Sequence, residues 1–469
     1  MNATDLGYTP ATELARLIRT KAVSPVEVTR AVLDRIGRVN PVVNAFCTLT
    51  ADAALAAARD AERAVTSGAR LGPLHGIPFS VKDLNLTKGV RTMSGSFIFE
   101  HRVPDADAAF VPRLRQAGGI FLGKTTSPEF GWKALGDSPL TGITRNPWNT
   151  SMTTGGSSAG AAAAVAAGLG PIHQGSDGAG SIRIPASFCG IYGLKPSYGR
   201  VPMWPVSNND YTTHNGPMTR TVADAALMLS VMAGPDERDR TSLEAAPADY
   251  VGALNRDLKG LRVAYSPDLG GLRVDPEVAT LVRSAVRAFE ELGCAVEEVK
   301  PGFADTHEMI RIMWSAHEAG NRGPFLPQWR SRMDPALVAC IEDGLRVSLV
   351  DYIQARDRKL AYWDTVRPLF ETHALLLTPS VSVTAFEVGR LNPAHFPQHA
   401  WNWFPWASFS YPFNFTGQPA ATVPAGFTAA GLPVGLQIVG RRFDDLTVLQ
   451  ASAAYETARP WAARRPDLP

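Results

Sequence analysis

The run from Thr153 to Arg183, TTGGSSAGAAAAVAAGLGPIHQGSDGAGSIR, constrains this chain more than any other stretch. It has three parts. Gly155-Gly156-Ser157-Ser158-Ala159-Gly160 is a small-residue loop with two hydroxyls, and Ala161 to Leu169 is an alanine-rich block without a polar side chain. Gly175 to Ser181 is a second small-residue loop, ending in a serine. The middle block has high helix propensity, and its lack of polar groups predicts a buried helix. Backbone N–H groups converge on one charge only where no side chain intrudes, and glycine alone adopts positive φ freely. The loop from Asp177 to Ser181 can therefore form an anion-binding nest. A serine inside such a nest can attack a carbonyl whose oxygen the nest then stabilises. The plain alternative is two glycine turns flanking a core helix.

Motif tests narrow the reading. The run contains no G-x-x-x-x-G-K-[ST], and no G-x-G-x-x-G follows a strand there. Gly156-Ser157-Ser158-Ala159-Gly160 does match G-x-S-x-G, but a nucleophile elbow needs a buried strand before it. Residues 146–151, NPWNTS, make a poor strand.

Upstream, Ser24-Pro25-Val26-Glu27 is a capping box followed by apolar residues at helical spacing, and residues 52–66 form a second alanine-rich helix. Gly76-Ile77-Pro78-Phe79-Ser80-Val81-Lys82-Asp83 predicts a short strand with Lys82 at its end. A lysine there is ordinarily a solvated edge charge. Residues 106–117 read as a helix and 120–123 as a strand. Residues 188–196 read as a buried strand leading to a turn. Beyond 260 the chain alternates strand (261–265), helix (276–292) and strand (295–299), an α/β pattern. Residues 303–372 are mostly helical and charged, and predict a lobe beside the main sheet. A buried strand (374–379), a closing hairpin (423–440) and a last helix (444–457) follow. The aromatic run Trp401 to Phe413 has no period and carries prolines. It is either core filling or the wall of an apolar pocket.

The 469 residues, 45% apolar and 19% charged with net charge +2, point to a soluble globular chain. They give no ground for nucleic-acid or membrane-surface partners. Cys47, Cys189, Cys294 and Cys340 lack C-x-x-C spacing, as reduced thiols in a cytoplasmic protein would. No signal peptide or membrane-length apolar run is expected. No His, Cys, Asp and Glu set has metal spacing, so neither metal nor cofactor is expected.

Taken together, Lys82, Gly155-Gly156-Ser157-Ser158, Gly180-Ser181-Ile182-Arg183-Ile184-Pro185, Cys189-Gly190 and Gly193-Leu194-Lys195-Pro196 closely resemble the amidase signature family. The likeness runs from about residue 70 to 233, with an echo at Pro433 to Gln437. Lys82 and Ser181 stand 99 positions apart (181 − 82), and Ser157 and Ser181 stand 24 apart (181 − 157). Both spacings look like the family's. The resemblance implies an α/β fold with a mixed twisted central sheet covered by helices on both faces. It implies one domain over 1–469, with a signature core at 70–233 and the helical lobe at 303–372.

It also implies roles. Ser181 is the nucleophile, Ser157 relays its proton after a cis bond from Gly156, and Lys82 is the base. Backbone N–H groups of Gly178, Ala179, Gly180 and Ser181 form the oxyanion hole, and Asp177 and Arg183 brace the loop. Ala159 and Ala179 stand where the family has glycine. Either they have negative φ or each loop is strained.

A free lysine titrates near 10.4. As a base it must fall to about 7–8, which burial without a carboxylate partner achieves, so Asp83 has to face away. His173 is the nearest rival base. The expected reaction is hydrolysis of a small apolar or aryl amide to carboxylate plus ammonia or amine. Thr126, Trp401, Trp403, Phe404 and Trp406 are its candidate binding residues. The competing expectation is a glutamine-hydrolysing subunit of a tRNA-dependent amidotransferase. The expected partner is a small-molecule amide, and a homodimer is left open.

Overall fold

A computed structural model describes residues 3–207, 209, 211–245, 248–303 and 306–469. Eleven strands form one mixed sheet. In chain order they are β1 (Phe46–Leu49), β2 (Pro78–Lys82), β3 (Ile120–Thr125), β4 (Ile172–Asp177), β5 (Tyr192–Lys195) and β6 (His214–Thr219). The rest are β7 (Arg262–Tyr265), β8 (Ala295–Glu298), β9 (Leu375–Pro379), β10 (Ala420–Phe427) and β11 (Pro433–Gly440). Their order across the sheet is β1-β3-β2-β4-β6-β5-β10-β11-β9-β7-β8. β2 runs parallel to both β3 and β4, whereas β6 is antiparallel to β4. The predicted closing hairpin is the antiparallel pair β10–β11.

Alternation assigns the two faces. Leu375 and Leu377 of β9 join a core with Phe79, Val81, Leu436 and Ile438, beneath the helices Ala11–Arg19, Val222–Met232, Pro276–Glu291 and Asp445–Ala458. Leu376 and Val439 point the other way, into an aromatic core shared with the helices of 307–372. Those helices are His307–Arg322, Leu326–Trp329, Pro335–Gly344 and Leu349–Thr372. Helices thus cover both faces, as the resemblance implied. Among the described residues no helix is long and apolar enough to cross a membrane.

The alanine block is the helix Ala159–Ala166, buried at every residue. It packs through Ala161, Ala162 and Val165 against Ile182, Ala186 and Met218. Local readings needed correction. Asn149–Thr153 is a strand after all, but it belongs to a two-stranded ribbon with Arg145–Asn146 and not to the main sheet. The helix expected over 106–117 spans only Val111–Gln116, with Pro112 in its first turn, where proline is tolerated. The stretch before β5 is a helix, Arg183–Cys189, again with proline (Pro185) in its first turn, ended by Gly190 at φ 65°.

Candidate active site

β2 and β4 lie side by side in parallel, so their carboxyl ends open at one edge, where ligands of α/β sheets bind. Lys82 ends β2, and Ser176-Asp177 ends β4. The Lys82 Nζ lies 2.7 Å from Ser157 Oγ, 3.0 Å from Ser158 Oγ, 3.1 Å from Ser176 Oγ and 3.4 Å from the Ser176 carbonyl oxygen. The amine is fully buried. Burial pulls it down from 10.5 to about 7, against an opposing pull from the Asp177 carboxylate. Asp83 faces away from the amine. Its carboxylate accepts from the Met93 N–H at 3.1 Å, and burial pushes it up to about 6.

The Gly156–Ser157 peptide bond is cis. Ser158 also binds the amine. It ties the two loops as well, accepting from the Ser176 N–H at 3.1 Å and donating to the Ser176 carbonyl at 3.0 Å. Ser176 escaped the sequence reading. The parallel register of β2 with β4 was the only signal that places it beside Lys82.

Asp177 and Arg183 form a buried two-pronged pair, Nε to Oδ2 and Nη2 to Oδ1, both 2.9 Å. Burial alone would raise the Asp177 carboxyl, but the adjoining guanidinium holds it far below the usual carboxylate range. The same carboxylate accepts from the Gly180 N–H at 2.7 Å. This corrects the expected oxyanion hole. The Gly180 N–H is committed to Asp177, which leaves those of Gly178, Ala179 and Ser181 from the original four. Gly180 has φ 112°, and a Cβ there would lie 2.5 Å from Ser410 Cβ. Ala159 and Ala179 do not have positive φ, so neither replacement strains its loop.

Ser157, Ser176, Gly178 and Ser181 line one cavity of about 420 Å³. Its aromatic wall is Phe99, Phe130, Trp314 and Phe325, with the three Phe rings 5.8–6.4 Å apart. The aromatic run named from the sequence is not part of it. Trp401, Trp403, Phe404 and Trp406 are fully buried in the core. Trp403 and Phe404 stand edge-on behind Trp314, at 5.8 and 5.6 Å, and Trp406 packs on Phe188 and Phe386. Thr126 is also absent from the wall. Its hydroxyl is used on the Asn44 carbonyl at 3.0 Å and on Thr144 Oγ1 at 2.6 Å, where the chain crosses the start of the Ala159–Ala166 helix. His173 is sealed under the sheet between Ser80 Oγ (2.6 Å) and the Gly170 carbonyl (3.1 Å), and burial lowers it to about 4. Among the described residues no group of three His, Cys, Asp or Glu is placed to hold a metal ion.

A strap from Glu129 to Lys133 closes the cavity beside Ser157. Phe130 and Gly131 both have positive φ and both line the cavity. The strap is fastened at its ends, by Glu129 Oε2 accepting from the Asp334 N–H (2.7 Å) and by Lys133 Nζ on Asp334 Oδ2 (2.6 Å).

The amidase family model matches residues 27–449. The chain belongs to the amidase family. This amidase is 41% identical to an acylamidase of Rhodococcus erythropolis, over 99% of this chain and 98% of that one. It is 36% identical to a glutamyl-tRNA(Gln) amidotransferase subunit of Moorella thermoacetica, over 99% of each chain. Among solved structures, a bacterial aryl acylamidase of the amidase signature family superposes with a TM-score of 0.91 at 31% identity, covering 97% of both chains.

Proposed function

We propose that this amidase hydrolyses a small carboxylic amide through an acyl-enzyme on Ser181, with Ser157 as proton relay and Lys82 as base. The observation that carries the reading is the buried amine at about 7, 2.7 Å from the Ser157 hydroxyl, in a cavity that Ser181 also lines. An amine neutral near pH 7 accepts the Ser157 proton, and Ser157 takes that of Ser181. The Ser181 oxygen then bonds the carbonyl carbon, whose oxygen turns toward the N–H groups of Gly178, Ala179 and Ser181. Proton return through Ser157 to the amide nitrogen releases ammonia or amine as the C–N bond breaks. Water repeats the sequence on the ester and frees the carboxylate. The same reading takes 1–469 as one domain, 70–233 as its signature core and 303–372 as a helical lobe facing the site.

A second reading is glutamine hydrolysis within a tRNA-dependent amidotransferase. It is favoured by the kinship to the Moorella thermoacetica protein. Incubation with a fluorophosphonate should label Ser181, and the labelled chain should lose all activity on a panel of aryl, aliphatic and cyclic amides. Labelling elsewhere, or full activity in Ser181→Ala, overturns the assignment. Ammonia release from glutamine, with none from the panel, moves the conclusion to the second reading.

A further inference from the structure

The cavity wall opposite the serines is not apolar. One face of the helix His307–Arg322 looks into it through Trp314, His317, Glu318, Asn321 and Arg322, at helical spacing. Glu318 is 92% buried (8% exposed), and its Oε2 has no hydrogen-bond partner among the described residues. The same holds for Arg322 Nε. These two atoms lie 3.9 Å apart, too far for a hydrogen bond. Arg322 is held over the Phe130 ring, 4.6 Å from its centroid, so its guanidinium cannot simply swing onto the carboxylate without leaving the ring. The two side chains form a loose ion pair at the cavity wall, but the pair leaves one buried acceptor and one buried donor without a hydrogen bond, which is costly unless a group between them supplies both.

The helix also acts as a ruler. Trp314 lies against the nest, 4.0 Å from where a Cβ on Gly178 would stand. At 1.5 Å rise per residue, Glu318 lies about 6 Å and Arg322 about 12 Å farther along the axis. An extended chain advances roughly 1.2 Å per bond, so the anchor sits on the order of five to ten bonds beyond the nest.

We propose that Glu318 and Arg322 form a second polar anchor. It selects amides that carry, at the far end of a spacer of that length, an uncharged group able to donate and accept hydrogen bonds, such as a hydroxyl or a carboxamide. Such a group donates to Glu318 Oε2 and accepts from Arg322 Nε. A methyl end leaves both open, and a charged end is attracted by one and repelled by the other. Glutamine fits poorly, because its far end is charged and its α-ammonium nitrogen and α-carboxylate carbon stand only four bonds from its side-chain carbonyl carbon, at the near limit of that reach. The inference deepens the amide-hydrolase reading and rests on it for the identity of the site.

The test is calorimetric binding to Ser181→Ala, with turnover of the unmodified enzyme measured in parallel. Heptanamide is compared with its hydroxyl-ended counterpart 6-hydroxyhexanamide, and N-hexylacetamide with N-(5-hydroxypentyl)acetamide, so that both sides of the scissile bond are probed. The hydroxyl end should bind about tenfold tighter or more in at least one pair, the scale of a hydrogen bond to a charged group. Added to Ser181→Ala, Glu318→Gln and Arg322→Leu should each collapse that ratio. Glu318→Gln should shift preference toward a carboxylate end (adipamic acid), and Arg322→Leu toward an ammonium end (6-aminohexanamide). A purely structural role would produce neither shift. A ratio below tenfold in both pairs, a ratio indifferent to both substitutions, or tighter binding of a charged end to the Ser181→Ala parent overturns the anchor. Binding preference without turnover leaves the anchor standing and removes the hydrolase reading. Turnover without preference does the reverse, and neither binding nor turnover removes both.

Discussion

At the scale of single residues, the site depends on where one proton sits. The Lys82 amine must be neutral to act, so kcat/KM should rise with pH through about 7 and level off above it. Lys82→Arg keeps a proton at every accessible pH and should be inactive from pH 6 to 10, as a stopped ammonia assay across that range would reveal. A second prediction concerns Gly131. A Cβ there would stand 2.5 Å from Leu84 Cδ1 and 3.2 Å from Ser157 Oγ, at φ +72°. Gly131→Ala should therefore cost about 1 kcal/mol of stability. Displacement of the relay serine should lower kcat on the order of 10- to 100-fold, and an unchanged kcat would place Gly131 outside the machinery. Ser157 and Ser181 stood out because each sits in a run of small residues, whereas Lys82 ends a strand with the core residues Phe79 and Val81 and was singled out only by the family resemblance. Gly180 was misread because composition cannot say whether an N–H faces a ligand or is already taken by Asp177. The tryptophans of 401–406 were misread for a related reason. Aromatic density is the same in a pocket wall and in the layer behind it, as where Trp403 and Phe404 stand edge-on behind Trp314.

Among elements, the strap 129–133 is the junction between sheet and lobe. Asp334 accepts from Lys133 Nζ and from Trp132 Nε1 (3.2 Å), and it caps the helix Pro335–Gly344 through the Ala336 N–H (2.9 Å). Asp334→Ala removes the buried partner of a lysine that is only 5% exposed. It should cost on the order of 3 kcal/mol, read as a drop in the denaturant midpoint with an unchanged slope. Lys133 retains Asp137 at 2.6 Å, so the lysine stays paired and the double variant Lys133→Met/Asp334→Ala should be no more stable than Asp334→Ala alone. None of this was legible beforehand, because residues 129–133 and 334 are some 200 positions apart and share no periodicity. The same limit applied to the strands. Their existence was readable for 374–379 and for the closing hairpin, where apolar runs are bounded by turns. The placement of β4 between β2 and β6 was not, since pairing across long connections leaves no local mark. The Arg183–Cys189 helix was overlooked because its first-turn proline reads as a breaker unless the helix start is already known.

For the molecule as a whole, buried charge ties folding to pH. Lys82 falls from 10.5 to about 7 and Lys124, fully buried, from 10.5 to about 8, both chiefly through burial. Each holds its proton less tightly folded than unfolded. Between about 7 and 10.5 the unfolded chain therefore binds more protons, and these lysines make stability rise with pH across that window. Asp83, raised to about 6, and Glu456, raised to about 7, act in the opposite sense, but their effect is nearly complete by about pH 8. Thermal midpoints should therefore climb between pH 7 and 9 more steeply in the wild type than in Lys124→Met, and equal slopes would contradict these assignments. The architecture was broadly legible, since alternating strands and helices and a long helical insertion survive any local error. The wall of Phe99, Phe130, Trp314 and Phe325 draws on three stretches far apart in the chain, and only folding unites them. Since Lys82 ends a strand of the sheet and Ser157 and Ser181 stand on loops at its edge, while Glu318 and Arg322 ride on a helix of the lobe, the chain keeps its reagents and its gauge in separate compartments. Drift in the gauge leaves the reagents intact, so a lineage built on this scaffold can change its diet without relearning how to cut.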